Sequence, residues 1–334
     1  RVFSPWVDLH EIMKNEGLPL FALESQEPVR DFDFLGMTLQ YELCYTNILQ
    51  ILDLSGIPLR ADDRSADDPI VIGGGPCAYN PEPIAEFFDL FYIGEGETRY
   101  RELFDLYKTF RGDAHKFDRE EFLYRAAKLQ GIYAPRFYDA VYDEEEHTLK
   151  RFAPNRDGVP AVIRKEIVRD MDAAPYPKRP IVPFMQVTQD RSVLEIQRGC
   201  IRGCRFCQAG QIYRPVREKS ADLLKAQAQA VLDGTGHEEL SLSSLSSSDY
   251  SGLEELLTYL MDECGRRKVN ISLPSLRIDA FSLDAMAKVQ DVKKSSLTFA
   301  PEAGTQRLRD VINKGLTKED ILKGATLAFL GGWT

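Results

Sequence analysis

The sequence predicts an α/β protein in which an N-terminal Rossmann-like parallel sheet precedes a partial TIM-like (β/α) barrel. Three observations predict it. Short β-branched runs alternate with amphipathic helical stretches along most of the 334 residues, as in parallel strands joined by crossover helices. Several of those runs stop at glycine or serine clusters, where the ligands of such sheets sit. Prolines crowd at Pro175, Pro177, Pro180 and Pro183 and mark a connector between two such alternations. The expected domains are 1–112, Rossmann-like; 113–186, a connector with a β-hairpin; and 187–334, the partial barrel.

In the first domain, Asp8 to Glu16 is helical in composition and Leu18 to Leu23 reads as a short strand. Phe32 to Leu39 is a second strand. A helix follows from about Glu42 to Ser55, with apolar residues at Ile48, Leu49, Ile51, Leu52 and Leu54 and Gly56 at its C-cap. Pro69 to Pro76 is a β-branched strand ending in Gly73-Gly74-Gly75. A helix over Pro83 to Phe88, a strand over Leu90 to Ile93 and the turn Gly94-Glu95-Gly96-Glu97 come next, then a helix to about Phe110. The two glycine clusters either admit a ligand close to the backbone or make tight turns. There is no Gly-x-Gly-x-x-Gly and no Walker-type Gly-Lys-Ser/Thr, so a nucleotide role is not supported.

The connector begins with a charged helix, Lys116 to Leu129. Strands over Gly131 to Tyr133, Phe137 to Tyr142 and Thr148 to Phe152 flank the acidic turn Asp143-Glu144-Glu145-Glu146. Val159 to Val168 alternates apolar and charged residues like a half-exposed strand.

In the third domain, Val193 to Ile196 reads as a short buried strand. Ser220 caps a helix to Leu232, ended by Gly234 and Gly236. Strands over Glu239 to Leu245, Val269 to Leu273 and Ser295 to Phe299 alternate with helices over Gly252 to Arg267, Ser282 to Val289, Thr305 to Ile312 and Thr317 to Leu330. That makes four βα units, with function expected at the C-terminal ends of the strands. Those ends are polar: Ser243 to Ser248, Pro274-Ser275-Leu276-Arg277, and Ala300 to Gly304 with Glu302.

Composition narrows the field. Apolar residues make up 43%, enough for a sizeable core. The net charge of −10 disfavours non-specific nucleic-acid binding and leaves room for a local basic site. No apolar run is long enough to span a bilayer and no signal peptide is visible, so no membrane partner is expected. Six cysteines without a disulfide pattern fit a reducing cytoplasm. Apolar residues reach both ends, which reads as an internal fragment truncated at each end.

The chemistry concentrates in Glu195-Ile196-Gln197-Arg198-Gly199-Cys200-Ile201-Arg202-Gly203-Cys204-Arg205-Phe206-Cys207. Three thiols lie within eight residues, with Gly199 and Gly203 to let the loop bend. Three converging thiolates need a metal or cluster to stabilise them. Structural zinc takes four ligands, usually in two pairs; here there is no second pair, and Cys44, Cys77, Cys264 and the four histidines are scattered. Closely spaced cysteine runs hold iron–sulfur clusters, and a cube with three protein ligands leaves one iron open. Arg198, Arg202 and Arg205 either surround a negative cluster with positive charge or form a solvated basic loop.

The motif Cys-x-x-x-Cys-x-Phe-Cys after a strand resembles the signature of the radical S-adenosylmethionine (radical SAM) enzymes. The resemblance implies that Cys200, Cys204 and Cys207 hold a [4Fe–4S] cluster in a radical-SAM-type barrel. The open iron would chelate the amino and carboxylate groups of S-adenosylmethionine, and one electron would cleave the sulfonium bond to give a 5′-deoxyadenosyl radical. It also implies an electron donor such as flavodoxin or ferredoxin. Phe206 would pack near the adenine, or serve as a core residue. Ser243 and Ser244 stand where the family receives the methionine amino group, normally in a Gly-Gly-Glu-like stretch that serine replaces here. Arg277 would pair with a carboxylate, or make an ordinary salt bridge. Glu302 would accept from ribose hydroxyls or from the ligand's amine.

Gly-Gly-Pro at one strand end and Gly-Glu-Gly-Glu at the next resemble the cobalamin-binding-type domain that precedes many radical SAM barrels, over about residues 18–110. The cobalt-ligating Asp-x-His-x-x-Gly is missing: its nearest relative, Asp8 to Met13, has methionine where glycine is needed, and His10 reads as a surface helix residue. Cobalamin is therefore expected only in a base-off form, or not at all. Within the family the chain looks most like a branch whose barrel leads into a domain resembling a tRNA-modification partner, so the unknown substrate includes RNA or tRNA. Two alternatives stand beside this. One is a cobalamin-dependent radical SAM methyltransferase. The other is a non-catalytic iron–sulfur or zinc module, which would bring Cys264 or His237 to the triplet.

Overall fold

The computed structural model describes residues 1–111, 117–185, 187–273, 277–280 and 298–333. The chain folds as two compact units, residues Arg1–Val168 and Arg169–Thr334.

The first unit is built on a four-stranded sheet of β1 (Phe34–Thr38), β2 (Ile70–Gly74), β3 (Leu90–Tyr92) and β4 (Ile132–Tyr133), in that order. The first three strands run parallel and β4 is antiparallel to β3. β2 and β3 are apolar at almost every position because both faces are covered. Helices α1 (Val7–Asn15), α2 (Tyr45–Leu54), α3 (Tyr100–Arg111) and α4 (Arg119–Ala126) accompany the sheet. Its core joins Leu52 of α2, Leu103 of α3 and Phe122 of α4 to Val71 and Phe91 of the strands. The hairpin β5 (Tyr138–Tyr142) and β6 (Leu149–Pro154) forms as expected and belongs to this unit.

Three expected elements of this unit differ. Leu18 to Leu23 makes only an isolated bridge, Phe21 with Pro28; Ala22 N donates to Glu27 O and Val29 N to Leu20 O around it, and the 3-10 helix Val29–Asp31 then turns the partner away. The expected helix over Pro83 to Phe88 is instead a 3-10 helix, Glu82–Phe87, with prolines at its start. Val159 to Val168 is not a strand. It makes one bridge, Gly94 with Glu166, and otherwise runs as an irregular strap.

The second unit carries a three-stranded parallel sheet in the order β11 (Asn270–Ser272), β10 (Glu239–Ser243), β7 (Ser192–Glu195). The crossover helices are α6 (Ala221–Thr235) and α7 (Leu253–Arg267). Ser220 caps α6 by accepting from Leu223 N, and Gly236 ends it in the left-handed conformation. Leu224, Ala228 and Val231 of α6, and Leu256, Leu260 and Cys264 of α7, recur at helical spacing and pack with Leu194, Leu240 and Leu242 of the strands. Two later helices, α8 (Gln306–Val311) and α9 (Lys318–Leu330), are capped by Thr305 and Thr317. The expected helix over 282–289 lies outside the described residues, as do Pro274-Ser275-Leu276 and the first three positions of the expected strand over 295–299. No helix among the described residues is long and apolar enough to cross a membrane.

Candidate functional site

β7 delivers the chain to the cysteine loop at the C-terminal end of the second sheet. Ile196 N donates to Ser243 O at 3.1 Å, so the chain stays tied to β10 as it leaves the strand. Then β8 (Gln197–Arg198) pairs antiparallel with β9 (Arg217–Glu218). Residues 199–216 are therefore an excursion closed at its base, and they contain all three cysteines and the short α5 (Ala209–Ile212). Gly199 closes it: at φ +94° a Cβ there would stand 2.6 Å from Tyr213 O and 2.8 Å from Pro215 O. Only glycine lets the returning chain pack that close. Gly203, by contrast, is not at positive φ; a Cβ there would meet the Asn313 side chain at 3.0 Å.

Cys200, Cys204 and Cys207 are each half-buried. Arg202 N donates to Cys200 Sγ at 3.4 Å and Gly210 N to Cys207 Sγ at 3.3 Å. Among the described residues no three His, Cys, Asp or Glu side chains are gathered into a ready metal cage. The structure thus puts the three thiols on one tied loop without drawing their sulfurs together. The donor set suits a cluster held at three corners: three partly exposed thiols, backbone N–H groups on two of them, and the alternative fourth ligands elsewhere. Cys264 is on the buried face of α7, where burial pushes its thiol up to about 11. His237 sits at the opposite end of the strands, bonded to Ser192 Oγ at 3.0 Å and 3.4 Å from Asp190.

The loop arginines act as anchors. Arg198 forks onto Glu195 at 2.9 and 2.8 Å. Arg202 clamps both carboxylate oxygens of Asp249, which also accepts from Ser246 Oγ at 2.7 Å. The bond to Asp249 raises the Arg202 pKa. Burial pushes Asp249 up, but its bonds from Arg202 and Ser246 outweigh this and hold it below the ordinary carboxylate value. Arg205 donates from Nη1 to Val311 O, and its backbone N donates to Ile312 O.

The expected cofactor contacts fall into two groups. Ser243 ends β10 beside Glu195. Ser244 shares a hydrogen bond with Ser247 at 2.9 Å, so the serine run is an internally bonded turn rather than a loose linker. Arg277 is held as a fork on Asp279 at 2.9 Å twice, so its guanidinium is engaged within the chain. Phe206 is 52% exposed, which rules out the core role. Glu302 accepts from Lys314 Nζ at 3.0 Å, and the same ammonium lies 5.8 Å from the Phe206 ring centre. Phe206 and Glu302 are thus brought together through Lys314. Sequence reading missed Lys314, Asn313 and Asp249; Asn313-Lys314-Gly315 just after a helix is the one turn signal that would have flagged the first two.

In the first unit the glycine-rich strand ends are filled by the chain itself. A Cβ on Gly94 would lie 2.3 Å from Glu166 O, and one on Gly73 2.9 Å from the Phe91 ring. His10 lies on α1 beside Asp53 at 3.7 Å. A cavity of about 620 Å³ opens next to these ends, lined by Tyr79, Asn80, Glu82, Ile93, Tyr133 and Lys165 among others.

Comparison with known proteins places both units. Residues 1–135 match the family described as radical SAM proteins, N-terminal, and residues 194–333 match the radical SAM superfamily. The uncharacterized protein MJ0966 of Methanocaldococcus jannaschii is 32% identical over 316 residues, covering 92% of this chain and 58% of that protein. The putative methylthiotransferase MJ0865 of the same organism is 22% identical over 144 residues, 40% of this chain and 31% of that protein. The chain therefore spans little more than half of the first relative and less of the second. The cobalamin-dependent S-adenosylmethionine radical enzyme OxsB, with aqua-cobalamin and S-adenosylmethionine bound, matches with a TM-score of 0.58 at 16% identity, over 89% of this chain and 39% of that one. The radical S-adenosylmethionine methyltransferase TsrM from Kitasatospora setae, with tryptophan and a SAM analogue bound, matches with a TM-score of 0.54 at 14% identity, over 98% and 58%. At such identities the likeness is one of fold. Two models of one superfamily match in order, and the three-thiol loop lies in the second: the chain belongs to the radical SAM superfamily.

Proposed function

We propose that the chain is the catalytic part of a radical SAM enzyme acting on a substrate still to be identified. The observation that carries this is the three-thiol loop, closed at its base by β8 and β9 and presented at the strand ends beside the serine turn. Cys200, Cys204 and Cys207 hold a [4Fe–4S] cluster, and the N–H groups of Arg202 and Gly210 donate to two of the sulfurs. When bound, the cluster supplies one electron to S-adenosylmethionine and so gives a 5′-deoxyadenosyl radical. Ser243 and Ser244 receive the methionine ammonium. Phe206 packs along the adenine and Glu302 accepts from the ribose hydroxyls. Arg277 pairs with the methionine carboxylate only after leaving Asp279. Superfamily membership calls for a one-electron donor; a flavodoxin or ferredoxin in the cytoplasm is our reading of it. An RNA substrate is the expectation from sequence, and the net charge of −10 requires a local basic site to hold it.

The test is anaerobic reconstitution with iron and sulfide, then reduction in the presence of S-adenosylmethionine. The wild type forms 5′-deoxyadenosine and Cys204→Ala forms none above background. Equal rates in the two would refute the assignment.

A second reading, cobalamin-dependent methyl transfer, draws support from the cofactors named for OxsB and from the 620 Å³ cavity. Any such cobalamin would lie without a histidine ligand. A spectral change on titration with hydroxocobalamin is what this reading expects, and an unchanged spectrum removes it.

A further inference from the structure

We infer that the turn Val311-Ile312-Asn313-Lys314 is a latch on the cysteine loop, with Asn313 as the positioning residue for Cys204. The inference rests on the cluster assignment above. Five contacts carry it. Asn313 Nδ2 donates to Gly203 O at 2.9 Å, next to Cys204. Ile312 O accepts from Arg205 N at 2.9 Å, on the other side of Cys204, and Val311 O accepts from the Arg205 guanidinium at 2.6 Å. Lys314 lies over Phe206 and binds Glu302. One four-residue turn therefore fixes the peptide groups on both sides of the middle cysteine, more than a hundred residues away along the chain.

The local sequence builds the latch. α8 ends at Val311, and Asn313 takes φ +53°, a left-handed position that asparagine tolerates better than most residues. That turn directs its amide at Gly203, where a Cβ would come within 3.0 Å of Nδ2. Glycine at 203 thus makes room for the latch. The other half of the loop is held separately, Arg202 being clamped on Asp249. The sulfurs are not yet gathered around a common point. The latch sets where Cys204 stands when a cluster closes the loop, as supporting hydrogen bonds do for metal ligands generally.

The experiment compares wild type, Asn313→Gly and Asn313→Asp, each reconstituted anaerobically. Asn313→Gly keeps the left-handed backbone and removes only the amide donor; Asn313→Asp keeps the shape and turns a carboxylate on the Gly203 carbonyl. We expect both variants to fold, with wild-type circular dichroism before reconstitution. They should lose iron to a chelator roughly tenfold faster than wild type or more and show an altered electron paramagnetic resonance spectrum of the reduced cluster. Arg205→Ala, which removes only the side-chain bond to Val311 O, should fall between. Wild-type iron retention and spectrum in Asn313→Gly would overturn the latch and leave the cluster assignment standing. Failure of the wild type itself to take up iron would overturn the assignment and the latch together.

Discussion

Gly199 shows how one backbone position conditions the whole site. Its φ of +94° and the carbonyls of Tyr213 and Pro215 leave no space for a side chain. Gly199→Ala should cost roughly 2–5 kcal/mol from backbone strain and overpacking, read as a lower midpoint in denaturant, and should impair cluster uptake because the loop base cannot close. Asp68 carries a different prediction. Burial pushes its carboxyl up, but hydrogen bonds from Ser65 N at 2.8 Å and Ser65 Oγ at 3.0 Å, with the charges of Arg30 and Arg119, hold it below its ordinary value. A lowered folded pKa means that the stabilisation is fully present above the unfolded value and is lost as pH falls through the folded one. Asp68→Asn should therefore cost about 1–3 kcal/mol at neutral pH. The gap between variant and wild type should shrink only below the ordinary carboxylate range. A gap that stayed constant down to strong acid would show that the charge of Asp68 contributes nothing.

At the scale of elements, the strap around Glu166 departs furthest from expectation. Its alternating residues suggest a strand, yet the chain makes one bridge and then fixes the Gly94 turn. Glu166 N donates to Ile93 O at 2.9 Å and Glu95 N to Glu166 O at 3.0 Å, while the Glu166 carboxylate, 5% exposed with its residue, accepts from Thr98 and pairs with Arg99. Glu166→Ala should destabilise the first unit by about 1–3 kcal/mol and expose residues 159–168 to limited proteolysis. An unchanged cleavage pattern would contradict the strap. The sheets were legible because β2 and β3 are apolar runs bounded by turn residues and β10 alternates leucine with polar residues, and α6 because Ser220 caps it and its apolar face repeats at helical spacing. What misled is equally local. Leu18 to Leu23 has strand composition, but its partner passes at once into the 3-10 helix Val29–Asp31; Pro83 to Phe88 is too short and too rich in proline at its start for an α-helix. Cys200, Cys204 and Cys207 stand out as candidate ligands by spacing alone. Asn313 and Asp249 did not, because their value depends on a carbonyl and a guanidinium that tertiary structure brings to them.

For the molecule as a whole, superfamily membership covers both units, whereas the substrate depends on parts that sequence and fold do not specify. The net charge of −10 leaves an anionic substrate dependent on a local site rather than on the general field. The central claim is a cluster held by three sulfurs with one iron free for S-adenosylmethionine. Its most direct test is electron paramagnetic resonance of the anaerobically reconstituted, reduced protein before and after adding S-adenosylmethionine. We predict a [4Fe–4S] signal in the wild type that shifts on addition, and none in Cys204→Ala. A signal that S-adenosylmethionine leaves unchanged, or a protein that takes up zinc and no iron, would contradict the account.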